Sequence, residues 1–170
     1  MLKRISITGP ESTGKSVLAK RLAEHYNTSY VPEYARMYLK DIGTNYTMDD
    51  VLQIAKGQLF SELQFVPLAK KVLFCDTDFL VTKIWCEVKF NACPAWIEQQ
   101  FREHRYDLYL LCYPDLAWQP DPLRENPDDR DYLFRLYEQE LNKHGFRYAV
   151  VKGVGDQRLK NAVKFVDEIL

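Results

Sequence analysis

Gly9-Pro10-Glu11-Ser12-Thr13-Gly14-Lys15-Ser16 fits the pattern G-x-x-x-x-G-K-[ST] at every fixed position. Ile5 and Ile7 lie in a short strand-like run before it. After it, Leu18, Leu22 and Tyr26 recur every four residues with Ala19 and Ala23 beside them, which predicts a helix from Lys15 to about Tyr26 with one buried face. A strand, a glycine-containing turn and a helix, in that order, are the context in which this pattern holds phosphate. Gly9 and Gly14 permit torsions that a Cβ would obstruct, so successive N–H groups can turn inward around phosphate oxygens. The helix N-terminus adds partial positive charge. Lys15 can neutralise the β- and γ-phosphates of a nucleoside triphosphate such as ATP, and Ser16 can offer its hydroxyl to Mg²⁺. The predicted nucleotide contacts also take in Glu11, Ser12 and Thr13 and run on to Val17.

Outward from that loop the chain alternates strand and helix. Ser29 to Val31 is a short strand candidate ended by Pro32. Thr47, with Asp50 three residues on, resembles a capping box for a long helix with Leu52, Ala55, Leu59, Leu63 and Val66 on one face. Val72 to Cys75, Asp107 to Cys112 and Arg147 to Val151 are apolar runs without alternation, which suit strands covered on both faces of a parallel sheet. Helical patterns separate them at roughly 79–89, 94–105, 130–144 and 156–169, the last with Leu159, Val163, Val166 and Leu170 as its stripe. The expected fold class is α/β, a three-layer domain with a mostly parallel central sheet.

The chain has 170 residues, enough for one domain with a core that needs no metal or disulfide, and no internal boundary is visible. Its 23 basic and 24 acidic residues give a net charge of −1, which argues against a general nucleic-acid or anionic-membrane binder. No apolar run approaches the roughly 18 residues of a membrane span, and the N-terminus lacks a secretory apolar stretch, so the expected location is cytoplasmic. Cys75, Cys86, Cys93 and Cys112 have no metal-site spacing, and Cys75 and Cys112 read as buried thiols. Aromatic content of 14% permits a homo-oligomer interface without locating one.

The chemistry gathers at strand ends. Asp76, which ends an apolar strand, is the candidate metal-associated carboxylate. Thr77 follows it where ATPase machines commonly place a water-activating Glu, and Asn142-Lys143-His144-Gly145 lacks the aspartate of a guanine reader. A strong hydrolase and a GTPase are therefore disfavoured. Glu33 and Arg36 follow the second strand, and Asp78 follows the third, at the edge where open parallel sheets bind ligands. These carboxylates can grip ribose-like hydroxyls, and one, Glu33 before Asp78, can accept a proton from an attacking oxygen. Each has a plainer use: Glu33 or Asp78 as a helix cap, Arg36 as a surface ion pair. Between Pro114 and Asp131, four prolines and mixed charges predict a lid that supplies Arg124 and Arg130 to a phosphoryl group. Tyr113 and Trp118 either stack on a flat ring or pin that loop.

Four motifs, Gly9 to Ser16, Pro32-Glu33-Tyr34-Ala35-Arg36, Asp76-Thr77-Asp78-Phe79 and Asp121-Pro122-Leu123-Arg124, resemble in order and spacing the ribosylnicotinamide kinase domain of the NadR type. The likeness covers most of the chain. Pro32 stands where some members of that family have an aromatic residue, and Asp-Pro-Leu-Arg replaces Asp-Gly-Leu-Arg. The resemblance implies a stand-alone P-loop kinase domain over residues 1–170, of the P-loop NTPase/kinase fold, that uses MgATP to phosphorylate the 5′-hydroxyl of nicotinamide riboside. It implies that Lys15 and Ser16 hold ATP and Mg²⁺, that Asp76 supports the metal, and that Glu33, Arg36 and Asp78 face the nucleoside. Arg124 and Arg130 would close over the phosphates. Two alternatives share the loop: a kinase for another nucleoside or small alcohol, and an ATP-binding switch acting on a protein partner.

Overall fold

The computed structural model describes residues 1–170. Five strands, β1 (Lys3–Thr8), β2 (Tyr30–Val31), β3 (Val72–Asp76), β4 (Leu108–Cys112) and β5 (Tyr148–Val151), form one sheet in the order β2-β3-β1-β4-β5. Every pairing is parallel. β3 and β4 are buried at every position, as their unbroken apolar runs require of strands covered on both faces. β1 alternates instead: Ile5 and Ile7 join one core, while Ser6 and Thr8 turn to the opposite face.

Six α-helices connect the strands and a seventh follows the last: α1 (Lys15–His25), α2 (Tyr34–Leu39), α3 (Met48–Phe65), α4 (Phe79–Phe90), α5 (Ala95–Glu103), α6 (Arg130–Lys143) and α7 (Gly155–Asp167). On one face of the sheet, Leu18 and Leu22 of α1 and Ala162 and Val166 of α7 pack on Ile5, Ile7, Phe74 and Leu110. On the other, Ile54, Leu80, Ile97, Phe101 and Leu141 from α3 to α6 pack on Leu73, Cys75, Tyr109 and Leu111. The three expected layers are present. The loop after β1 and the end of β3 lie side by side, because Ile7 pairs with Asp76 in the ladder.

Thr47 caps α3 as expected, accepting from the Asp50 amide while the Asp50 carboxylate accepts from Thr47 N–H. α2 was not expected, since six residues are too few for periodicity to show. Two helices are rotated by one position from their apolar stripes. In α3 the buried face is Val51, Ile54, Ala55, Gln58 and Glu62, and Leu63 is 56% exposed. In α7 it is Arg158, Ala162 and Val166, and Leu170 lies exposed beyond the helix end. The reason is the same in both: a charged side chain takes the inner face because partners are waiting for it.

Glu62 shows how. Its carboxylate accepts from Tyr106 Oη at 2.8 Å and Arg4 Nη1 at 3.3 Å, and lies 2.8 Å from His104 Nε2. Burial would raise its pKa, but these hydrogen bonds and charges, His104 foremost, hold it below the ordinary carboxylate value. A lowered acid pKa means that the stabilisation is present above the unfolded-state value and is lost as pH falls through the folded one. Glu62→Ala strips the partners of their acceptor and should cost about 3–5 kcal/mol at neutral pH. Denaturant titration at pH 7 and pH 3 checks this: the gap between wild type and variant should narrow in acid, and a pH-independent gap refutes the ionic account.

Candidate active site

The loop leaves β1 at its carboxyl end and closes on α1. Gly9 has φ +132°, and a Cβ there would stand 3.0 Å from the Cys112 carbonyl oxygen. Gly14 has φ +76°, and a Cβ would meet Leu116 Cδ1 at 2.8 Å. Gly9 is therefore required by torsion and by space, and Gly14 by torsion, since the Leu116 side chain can move aside. Lys15 Nζ donates to the carbonyls of Gly9 (2.9 Å) and Pro10 (2.7 Å), which places the ammonium inside the curve of the loop. Thr13 Oγ1 donates to the Pro10 carbonyl at 2.7 Å and braces the same turn.

Asp76 stands beside the loop, 1% exposed, and its Oδ1 is buried with no hydrogen-bond partner. Burial first, and the charge of Glu33 second, push its pKa up to about 6, against the opposing pull of the Ser16 hydroxyl, Lys15 and Arg36. An orphaned carboxylate oxygen next to a serine hydroxyl is a donor set that suits Mg²⁺. That ion usually takes one or two protein carboxylates and completes its shell with substrate phosphates and water. No group of three or more His, Cys, Asp or Glu side chains forms a metal cluster, so an all-protein cage is not the arrangement here. Ser16 and Asp76 are the residues that would hold the ion.

A cleft of about 870 Å³ runs from the loop, past Glu33 and Arg36, to a wall containing Tyr46, Trp85 and Tyr137. Ser16, Glu33, Arg36 and Asp76 also border a second hollow of about 410 Å³. Arg36 bridges Glu33 (3.4 Å) and Asp121 (2.9 Å). The structure thus brings together Lys15, Ser16, Glu33, Arg36 and Asp76.

It sets Asp78 apart, which corrects its reading as a nucleoside-facing base. Asp78 is 2% exposed and lines neither hollow. Its carboxylate accepts from the Ser6 hydroxyl, the Thr8 hydroxyl (3.3 Å) and the Val81 amide (2.9 Å), and so caps α4. Burial raises its pKa, while these hydrogen bonds work in the opposite direction. Thr77 between the two acids has φ +84°, a left-handed torsion rare for a β-branched residue, and this turn separates the surroundings of Asp76 and Asp78.

Residues 114–129 carry no helix or strand, yet they are folded down on the loop. The Ser12 hydroxyl accepts from the Gln119 amide (2.9 Å) and from Arg124 Nη1 (3.4 Å). Arg130 Nη1 donates to the carbonyls of Ser12 (3.0 Å) and Leu116 (2.8 Å). Arg124 and Arg130 therefore both lie against the loop at Ser12. The Glu11 carboxylate accepts from the backbone amides of Glu125 and Asn126, which leaves its own backbone N–H free to serve the loop. Tyr113 packs edge-on against Phe134 and Trp118 lies beneath the Arg130 guanidinium, so both pin the lid.

Two contributors escaped the sequence reading. Arg158, 4% exposed, donates to the carbonyls of Thr13 (2.6 Å), Tyr113 (3.1 Å) and Gly153 (2.9 Å) and to Asp115 (2.7 Å), tying α7 to the loop. Its only sequence signal is its register in the face that α7 buries. The second is the far wall of the cleft, where Trp85 Nε1 donates to Tyr46 Oη (2.8 Å) and Lys89 pairs with Glu125 (2.7 Å). These residues are distant in sequence, and nothing in the chain signals their meeting.

Comparison with known proteins agrees with this fold. A family model described as an AAA domain matches residues 4–158. The trifunctional NAD biosynthesis/regulator protein NadR of Salmonella typhimurium is 28% identical over 99% of this chain and 43% of its own length. This chain thus spans less than half of that relative. Among solved structures, NadR in complex with NR superposes with a TM-score of 0.84 at 23% identity, over 98% of this chain and 49% of the other. NadR in complex with NAD and AMP-PNP gives 0.79 at 26%, with the same coverage. Deoxyadenosine kinase from M. mycoides shares the fold, with a TM-score of 0.65 at 12% identity over 98% of this chain and all of that one. No helix is long and apolar enough to cross a membrane.

A raised acid pKa makes Asp76 a stability liability. The folded value of about 6 lies above the ordinary 3.8, so stability falls as pH rises between them and stays low above. With magnesium chelated, Asp76→Asn should raise stability by about 3 kcal/mol at pH 8 and leave it little changed at pH 3.5. Thermal melts at the two pH values decide it; an equal shift at both would refute the ionisation argument.

Proposed function

We propose, for a chain that belongs to the AAA domain family, that residues 1–170 form an ATP-dependent nucleoside kinase whose acceptor is nicotinamide riboside, phosphorylated on its 5′-hydroxyl. One observation carries the reading: a single cleft is lined by the phosphate loop, by aromatic side chains and by a carboxylate, Glu33. A hydrolase needs no such chamber. Support comes from the likeness to NadR, which has been crystallised with NR and with AMP-PNP.

In this scheme the loop amides and Lys15 bind the triphosphate, the ammonium turning from the Gly9 and Pro10 carbonyls to phosphate oxygens. Val17 and Val154, 65% and 66% exposed at the rim of the cleft, offer apolar contact to the adenine ring. Ser16 and Asp76 would hold Mg²⁺, which when bound would neutralise charge on the phosphates. Glu33 orients the ribose hydroxyl and accepts its proton, and Arg36 fixes that carboxylate. Arg124 and Arg130 exchange their present carbonyl partners for the transferring phosphoryl group. Tyr46, Trp85 and Tyr137 wall the space for the flat ring of the acceptor. Most of the acceleration comes from positioning and electrostatics, since the transfer asks little covalent chemistry of the protein.

Purified protein with MgATP is assayed against nicotinamide riboside and the common nucleosides, with the phosphorylated product quantified by chromatography. Nicotinamide mononucleotide should dominate; preferential phosphorylation of another nucleoside reassigns the acceptor, and no phosphorylated product at all overturns the kinase. Lys15→Ala should leave less than about one-hundredth of wild-type turnover. Glu33→Ala should keep ATP affinity and lose about 10²–10⁴ in transfer rate. Full activity in Glu33→Ala removes that residue from proton transfer.

A further inference from the structure

Glu11 is a carboxylate within a loop shaped to hold a polyanion. Turned inward it would repel phosphate, so its position calls for a use elsewhere. The structure supplies one. Glu11 Oε2 accepts from the backbone amides of Glu125 (3.1 Å) and Asn126 (3.0 Å) and from the Asn126 side-chain amide (3.4 Å), and Oε1 lies 3.3 Å from the Glu125 nitrogen. Successive backbone N–H groups converging on one anion form a nest, and hydrogen bonds to an ionised acceptor are the stronger kind. Here the anion belongs to the protein itself.

The next residue works in the same direction. Ser12, held at φ +54°, accepts from the lid through both its hydroxyl and its carbonyl. The segment from Leu116 to Asp129 has no helix or strand of its own, so contacts of this kind fix where it lies. Its opposite flank reaches the acceptor chamber: Asp121 pairs with Arg36, while the Glu125 carboxylate meets Lys89 and the Tyr46 hydroxyl. One stretch of chain is thus the roof of the phosphate end and a wall of the acceptor end.

We propose that Glu11 is a positioning residue, the latch that holds the lid closed through the Glu125 and Asn126 amides. By doing so it sets Arg124 and Arg130 at the phosphates and Asp121 and Glu125 at the acceptor in a single movement. The catalytic consequence rests on the kinase reading above; the latch itself does not. With the lid closed, water is excluded and the phosphoryl group goes to the acceptor hydroxyl. With the latch removed, the arginines lose their aim and transfer falls relative to hydrolysis.

The test compares Glu11→Ala, which removes the acceptor atoms, with Glu11→Gln, which keeps one oxygen but not the charge. Amide hydrogen exchange, read by NMR on the full chain, should show Glu125 and Asn126 exchanging at least about tenfold faster in Glu11→Ala and less so in Glu11→Gln. Amides of β1 and α1 should be unchanged, which controls for misfolding. In assays with MgATP and acceptor, kcat should fall about 10- to 100-fold with the nucleotide KM within about threefold, and the ratio of ATP hydrolysis to transfer should rise. Unchanged exchange at the two amides overturns the latch, as does faster exchange with unaltered kcat and partition. Lost nucleotide affinity with normal exchange also overturns it and makes Glu11 a phosphate-loop residue. If wild type phosphorylates no nucleoside while the exchange effect appears, the kinase reading fails and the latch stands.

Discussion

The hydrogen-bonded ladder between β1 and β3 is the constraint from which the rest of this protein's site descends. Its parallel register sets Ile7 beside Asp76. Two residues beyond Ile7 the phosphate loop begins, and Asp76 is the last residue of its own strand. A slip of one position would exchange the faces of β3 and bury a different set of side chains. Because both strands are covered above and below, the register is fixed by the cores of Leu73 and Cys75 on one face and Val72 and Phe74 on the other. The meeting of loop and carboxylate is therefore a product of core packing, not of local loop chemistry.

Around that meeting point the protein accepts unfavourable arrangements. Asp76 keeps a buried oxygen without a partner, Thr77 adopts a left-handed torsion with its hydroxyl unpaired, and Gly9 and Gly14 hold positive φ. Nearby, the opposite rule holds. The Asp78 carboxylate is satisfied by Ser6, Thr8 and Val81, and the two terminal nitrogens of Arg158 by four oxygens of the loop and its surroundings. Asp76 and Thr77 thus carry unpaired buried oxygens at the edge of the site, beside groups that are more fully bonded.

Much of this was legible in the sequence. The loop motif, the strand ending at Asp76 and the unbroken runs of β3 and β4 led directly to a parallel three-layer fold, because burial on both faces demands such runs. Residues whose role depends on partners far along the chain were not legible. Leu63 and Leu170 were read as core from spacing alone, whereas α3 and α7 turn Glu62 and Arg158 inward toward oxygens and donors supplied by other elements. Asp78 looked like a second acidic station because it lies two residues from Asp76; its neighbours Ser6 and Thr8 on the adjacent strand decide otherwise. Tyr46, Trp85, Lys89 and Glu125 come together only in three dimensions.

The two carbonyls that Lys15 grips have a thermodynamic corollary. Its ammonium never faces a dry wall, so an incoming tail must compete with internal oxygens for the same three protons. A short anion offers too little to win that exchange, whereas a longer string of negative oxygens can replace both carbonyls while also filling the ring of amides. For a polyphosphate bound in this loop, the preference over a lone phosphate would lie in an equilibrium of swapped partners.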